Sequence, residues 1–198
     1  MAVVHEIIAV APNTPVTDVA SVKGAIVAAI DSAWFVGGHP LAGASTSGPE
    51  GALPGLFDGR PWVTCPRQRA NGASRAAVSA LIDICGAREV IMSADEHDRG
   101  VAVTSHAVQV VASAIAAQWG QLPGAAVEAR GRAFDEILRL AGSDPLLWQE
   151  ILSANSGAVS HVLLQLADTL TEVADSLTSG DASTAARLIA DGNEAAQQ

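Results

Sequence analysis

Apolar residues fall into two rhythms along this chain, and the change comes near residue 93. Before it, short apolar runs bounded by Gly, Pro and Asn alternate with segments of helical spacing. Val3 to Ala11 reads as a helix closed by Pro12-Asn13, Thr14 to Asp18 as a short strand, and Ser21 as the N-cap of a helix carrying Val22, Ile26, Val27 and Ile30. Trp34 to Gly38 and Pro61 to Cys65 read as strands, Ser74 to Cys85 as an amphipathic helix ended by Gly86, and Glu89 to Met92 as a last strand. Strands alternating with helices predict an α/β half with a largely parallel sheet. No strand signal follows. Helices are predicted from Ala94 to Trp119, around Phe134 to Leu140 and from Pro145, so the fold class is α/β followed by all-α. After Asn155, Val159, Leu163, Leu166, Leu170, Val173 and Leu177 keep steps of four and three, a seam that calls for a partner helix. Ser183 to Ile189 reads as a short capped helix, with Gly192 to Gln198 fraying.

Composition narrows the picture. With 198 residues, 49% hydrophobic and 16% charged, the chain can bury a real core as one large or two small domains. No apolar run long enough to span a bilayer is apparent, and Met1 to Glu6 lacks the pattern of a signal peptide, so no membrane partner and a cytoplasmic location are expected. A formal net charge of −10 without clustered cations argues against nucleic acid. An anionic substrate would then need a local positive pocket. Cys65 and Cys85 make neither a metal pattern nor a disulfide framework, and no metal site is expected.

Candidate chemistry centres on Gly37-Gly38-His39-Pro40. Two glycines allow positive φ or close approach, and Pro40 stiffens the chain just after the imidazole. An ordinary Gly-His-Pro turn would look the same, so the flanking segments decide. The Gly- and Pro-rich stretch from Ala44 to Gly59 is long enough for a substrate lid, or for a merely solvated loop. Lys23 is the only lysine in the chain.

Gly37-Gly38-His39-Pro40-Leu41-Ala42-Gly43, then Ser47-Gly48, Leu56-Phe57 and Arg60-Pro61-Trp62-Val63-Thr64-Cys65-Pro66, resemble the middle of a prephenate or arogenate dehydrogenase. Thr17-Asp18-Val19-Ala20-Ser21-Val22-Lys23-Gly24 precedes them as in that family. Glu96-His97-Asp98-Arg99, Thr104-Ser105-His106 and Arg139-Leu140-Ala141-Gly142-Ser143-Asp144-Pro145, with Trp148 and Asn155, follow in the same order.

The resemblance implies an incomplete Rossmann-like nucleotide-binding domain over 1–92 and a helical substrate-binding and dimerisation domain over 93–198. It implies NAD(P)-dependent oxidative decarboxylation of prephenate or arogenate in tyrosine biosynthesis, by a homodimer using NAD or NADP. His39 and Ser21 are then the catalytic pair, Arg139, Gln109 and His106 face the substrate, and Ser21, Asp18 and Lys23 lie toward the cofactor. Arg139 could equally pair with Glu136 or Asp144. Gln109 stands where the family commonly has a second His, and Ser45 where it often has an acidic residue. His97 and His106, nine apart, should lie on opposite faces of a straight helix, leaving His97 a structural, capping role. No Gly-x-Gly-x-x-Gly strand–turn–helix unit occurs, although the family carries one upstream of Thr17. The expectation is therefore a truncated dehydrogenase that binds its cofactor poorly, the alternative being a non-catalytic helical dimer or ligand-binding remnant.

Overall fold

The computed structural model describes residues 2–43, 51–124 and 128–197. The expected loop over 44–59 therefore lies partly outside the described residues, and Ser45 wholly so.

Helix α1 (Ala2–Val10) leads to β1 (Val16–Thr17), α2 (Gly24–Ala29) and β2 (Phe35–Pro40), then β3 (Pro61–Pro66), α3 (Gly72–Ile84) and β4 (Arg88–Ile91). The four strands form one sheet in sequence order, and it is mixed rather than largely parallel. β1 and β2 are parallel across α2, and β3 and β4 are parallel across α3, as helical crossovers require. Between β2 and β3 no helical crossover occurs among the described residues. The Leu41 N–H donates to the Pro61 carbonyl at 2.8 Å, so β3 starts where β2 stops and runs antiparallel to it.

Alternation along β2 sends successive side chains to opposite faces. Val36 packs with Trp62, Val78 and Ile82 beneath α3, while Phe35 joins Val16 and Ile30, backed by Val4, Ile8 and Val27. His39 shares the face of Phe35 and Gly37, so it points away from α3. Neither Gly37 nor Gly38 has a positive φ. They are needed for approach: a Cβ on Gly37 would lie 2.8 Å from Val27 Cγ2, and one on Gly38 2.5 Å from the Asp18 carbonyl oxygen.

Beyond β4 the described chain is helical, with α4 (Ala94–Val101), a π-helical turn (Ala102–His106) and α5 (Ala107–Trp119) running continuously. A capping box between Ser93 and Glu96 starts this run, so His97 is not its cap. Contrary to the sequence expectation, Ala94–Trp119 is long and apolar enough to cross a bilayer by length and composition. Its His97, His106 and Gln109 are nevertheless buried and hydrogen-bonded to other parts of the fold.

Among the described residues, helices α6 (Arg132–Ala141), α7 (Pro145–Ala154), α8 (Ser156–Thr178) and α9 (Ser183–Ala195) follow. Asp144 caps α7 through the Leu146 amide, and Pro145 sits at its first position. α9 continues past Ile189 to Ala195 where fraying was expected, and no side chain of its N-cap residue, Ala182, caps it. Asp181 instead accepts from the Ser183 amide.

Candidate active site

His39 leaves the end of β2 toward α4, and what it meets there fixes its chemistry. Its Nδ1 lies 2.8 Å from His97 Nε2, and the two rings meet edge to face with centroids 5.0 Å apart. His97 Nδ1 lies 2.7 Å from Asp98 Oδ1. Asp98 also accepts the backbone N–H groups of Lys23 at 2.8 Å and Gly24 at 2.7 Å. Burial alone would raise the Asp98 pKa, but the His97 ring and those two amides outweigh it and hold the carboxyl below its usual range.

An ionised carboxylate only accepts, so His97 carries a hydrogen on Nδ1. In the tautomer where that is the ring's one hydrogen, Nε2 is an acceptor. His39 therefore donates from Nδ1, and its Nε2 keeps a lone pair. Burial first, then the proximity of the His97 ring and of Lys23, pushes the His39 pKa down to about 3, so the ring is neutral at physiological pH.

A second set of bonds anchors the backbone before His39. Lys23, fully buried, is ion-paired with Asp18 and donates to the Gly38 carbonyl at 2.7 Å. The Gly38 N–H donates to Asp18 Oδ1 at 3.0 Å. Gly38 is thus gripped at both its N–H and its carbonyl by one ion pair. Burial lowers the Lys23 pKa while Asp18 acts to raise it.

Three neighbouring cavities receive His39, Arg139, Gln109 and Ser21. His39 lines one of about 360 Å³ with Leu41, Thr104 and Ser105. Arg139 and Gln109 line one of about 630 Å³ with Ser105, Ser143, Asp144 and Trp148. Ser105 is common to both, and the adjacent residues Ala42 and Gly43 divide between them, so the cavity lined by His39 adjoins the one lined by Arg139. Ser21 lines a third, of about 460 Å³, which meets the second only at Leu147.

At Ser21 the structure differs from the expected helix cap, and it gives His106, Asp18 and Lys23 partners that the sequence did not announce. Ser21 does not cap α2, which begins at Gly24 with Lys23 at the N-cap and no side-chain cap bond. The acceptor comes from Asp98 on α4, a contact 74 and 75 residues away that no local pattern announces. His106 lines none of the three cavities; it is buried, 3.2 Å from Asn155 Nδ2 and edge to face with Trp148. Asp18 and Lys23, expected to face a cofactor, are bonded to each other and to Gly38.

His97 and Asn155 were the functional candidates missed. A straight helix puts His97 and His106 on opposite faces, but the π-helical turn between them changes the phase. Asn155 then bridges the two regions, donating to the Asp98 carbonyl at 2.7 Å and meeting His106. The adjacent His97-Asp98 pair was the available signal. Cys65 is buried, with a thiol pushed up to about 11, which keeps it protonated. No group of three or more metal-ligating side chains occurs among the described residues.

Residues 1–91 match the nucleotide-binding domain of prephenate dehydrogenase, and residues 93–191 match its dimerization domain. The chain belongs to the prephenate dehydrogenase family. It is 36% identical over 153 residues to a Streptomyces niveus protein named "Probable prephenate dehydrogenase NovF", covering 73% of this chain and 42% of that one. Its fold superposes on prephenate dehydrogenase from A. aeolicus, solved with hydroxyphenyl propionate and NAD+, with a TM-score of 0.80 at 26% identity over 92% of this chain and 66% of the other. Synechocystis arogenate dehydrogenase gives a TM-score of 0.78 at 26% identity, covering 94% and 70%. The chain spans about half the length of the curated relatives it matches.

Proposed function

We propose that this chain supplies the base and the substrate-binding surface of an NAD(P)-dependent prephenate or arogenate dehydrogenase. The observation that carries this reading is the line His39–His97–Asp98, which leaves His39 Nε2 as a lone pair at a cavity adjoining the one lined by Arg139.

The substrate is a cyclohexadienol with a carboxylate on the ring carbon opposite the hydroxyl. As the carbinol carbon gives up hydride, its hydroxyl proton passes to His39 Nε2. The resulting imidazolium keeps its Nδ1–H on His97, whose own Nδ1–H stays on the Asp98 carboxylate, so the new charge is met by a chain of polar groups already in place. Loss of the ring carboxylate as carbon dioxide returns an electron pair to the ring, which becomes aromatic, and the ring oxygen recovers the proton as a phenol. Asp18 and Lys23 hold the Gly38 peptide and so aim the imidazole. Arg139, bonded through Nε to Glu136 at 2.8 Å, has its terminal nitrogens without a partner among the described residues and anchors the side-chain carboxylate.

A nicotinamide dinucleotide, when bound, supplies the hydride acceptor. The described residues fit such a group in part: Ser21 and its neighbours form a cavity beside the end of β1, and among the described residues no Gly-x-Gly-x-x-Gly turn stands beside it to approach a pyrophosphate. Ser21 is assigned to that cavity's cofactor side. The match to a dimerization domain supports a homodimer through the helical region.

The test is turnover of prephenate and arogenate in a protein that joins this chain to a phosphate-binding half. Replacing His39 by Asn should lower kcat by about 10²–10⁴-fold while leaving KM within a few-fold. Near-normal turnover in that variant removes His39 from the mechanism, and no turnover in the parent fusion favours the non-catalytic remnant.

A further inference from the structure

The geometry around Gln109 points to a substrate whose side chain carries an ammonium group rather than a keto group, so that of the two family substrates this chain selects arogenate. The inference rests on the reading above that the Arg139 cavity receives the substrate side chain.

Gln109 cannot turn its amide over. Its Nε2 lies 2.9 Å from the Leu140 carbonyl oxygen, which only accepts, so the nitrogen must face that carbonyl. The second hydrogen on Nε2 is directed at Ser113 Oγ, 3.3 Å away. Both donors of the side chain are thereby used, and Oε1 faces Ser143, whose Oγ lies 3.4 Å from it. Ser143 has a single hydroxyl hydrogen, and the Leu140 carbonyl at 2.7 Å is the better acceptor for it. Gln109 Oε1 is left without a strong donor among the described residues.

The surroundings repeat this bias. Gln109, Ser143 and Asp144 lie together on the cavity lining, and each offers oxygen lone pairs. Asp144 spends one oxygen on the Leu146 amide at 2.9 Å. Arg139 is the only cationic side chain among the lining residues. A side chain bearing ammonium and carboxylate on one carbon matches both halves of this lining, since its three N–H donors meet the acceptor oxygens and its carboxylate meets the guanidinium. A keto oxygen is itself only an acceptor. Set against Gln109 Oε1 and Asp144 it finds no hydrogen, and the polar groups on both sides lose solvent without gaining a bond.

The experiment is calorimetric titration of the chain with two stable aromatic probes that differ only at this group, L-tyrosine and 4-hydroxyphenylpyruvate. The amino acid should bind at least about tenfold more tightly. In Gln109→His, where the imidazole can present a donor, the preference should shrink or reverse, with circular dichroism showing an unchanged fold. Equal or tighter binding of the keto acid by the unsubstituted chain overturns the inference while leaving the cavity as the substrate site. If neither probe binds, the assignment of the cavity itself fails, and the inference with it.

Discussion

Asp98 orients His97 directly and His39 through it. Its carboxylate accepts from one imidazole and two backbone amides, so an isosteric Asp98→Asn change places an NH₂ group where one of those donors points. Loss of one bond and a donor–donor clash should cost about 1–3 kcal/mol, read as a lower midpoint in urea unfolding. The histidines give the protein a pH signature of defined sign. His39 and His106 both have native pKa values below the usual 6.5, mainly through burial. The unfolded chain therefore binds more protons than the native one below about pH 6.5, and stability must fall as pH drops from there toward the native values. Each group should contribute a slope of up to about 1.4 kcal/mol per pH unit within that window. Unfolding measured from pH 7 to pH 4 should show the slope, and His39→Asn should reduce it. Of this chemistry His39 was legible, because Gly-Gly before it and Pro after it mark a constrained position. Its partners were not, since a carboxylate reaching a helix start from 74 residues away leaves no trace in local spacing.

β2 is built so that its last turn of chain can be crowded from both faces. Gly37 admits Val27, and Gly38 admits the β1 end, where a Cβ would lie 2.6 Å from Thr17 Oγ1 and 3.1 Å from Trp62 Nε1. Gly38→Ala should therefore destabilise by about 1–3 kcal/mol through overpacking, and should also displace the peptide that aims His39. Both effects are separable: thermal unfolding reports the first, and loss of probe binding in protein that remains folded reports the second. The strands and helices themselves followed from period and punctuation. The sheet's antiparallel step did not, because it depends on where the chain re-enters after a long connection rather than on any residue within β2 or β3. Likewise the π-helical turn at Ala102–His106 carries no composition that separates it from the α-helix on either side, yet it changes which faces His97 and His106 share.

The two halves of the fold meet through polar side chains as well as apolar ones. Asn155, at the junction of α7 and α8, bonds the Asp98 carbonyl and meets His106, so the start of α8 is tied to the line that ends at His39. That helix is also the one whose apolar seam the sequence marked out. Val159, near its start, is 4% exposed and belongs to the core, whereas Leu166, Leu170 and Leu177 are 38%, 56% and 52% exposed. Leu164 is 67% exposed beside them. Contacts with α9 leave this outer part of the seam open, and a second copy of the same helix would cover it, consistent with the match of residues 93–191 to a dimerization domain. A double change of Leu166 and Leu170 to Glu puts charges where such an interface would be most apolar, and desolvating them should prevent association. Sedimentation equilibrium should show a dimer for the parent chain and a monomer for the variant, with helical circular dichroism retained at low protein concentration. Because Asn155 ties α8 to Asp98, the monomer should also bind L-tyrosine more weakly, although neither substituted leucine lines the Arg139 cavity. A parent chain that sediments as a monomer at all concentrations would leave those leucines exposed for another reason and remove the dimer from the proposal.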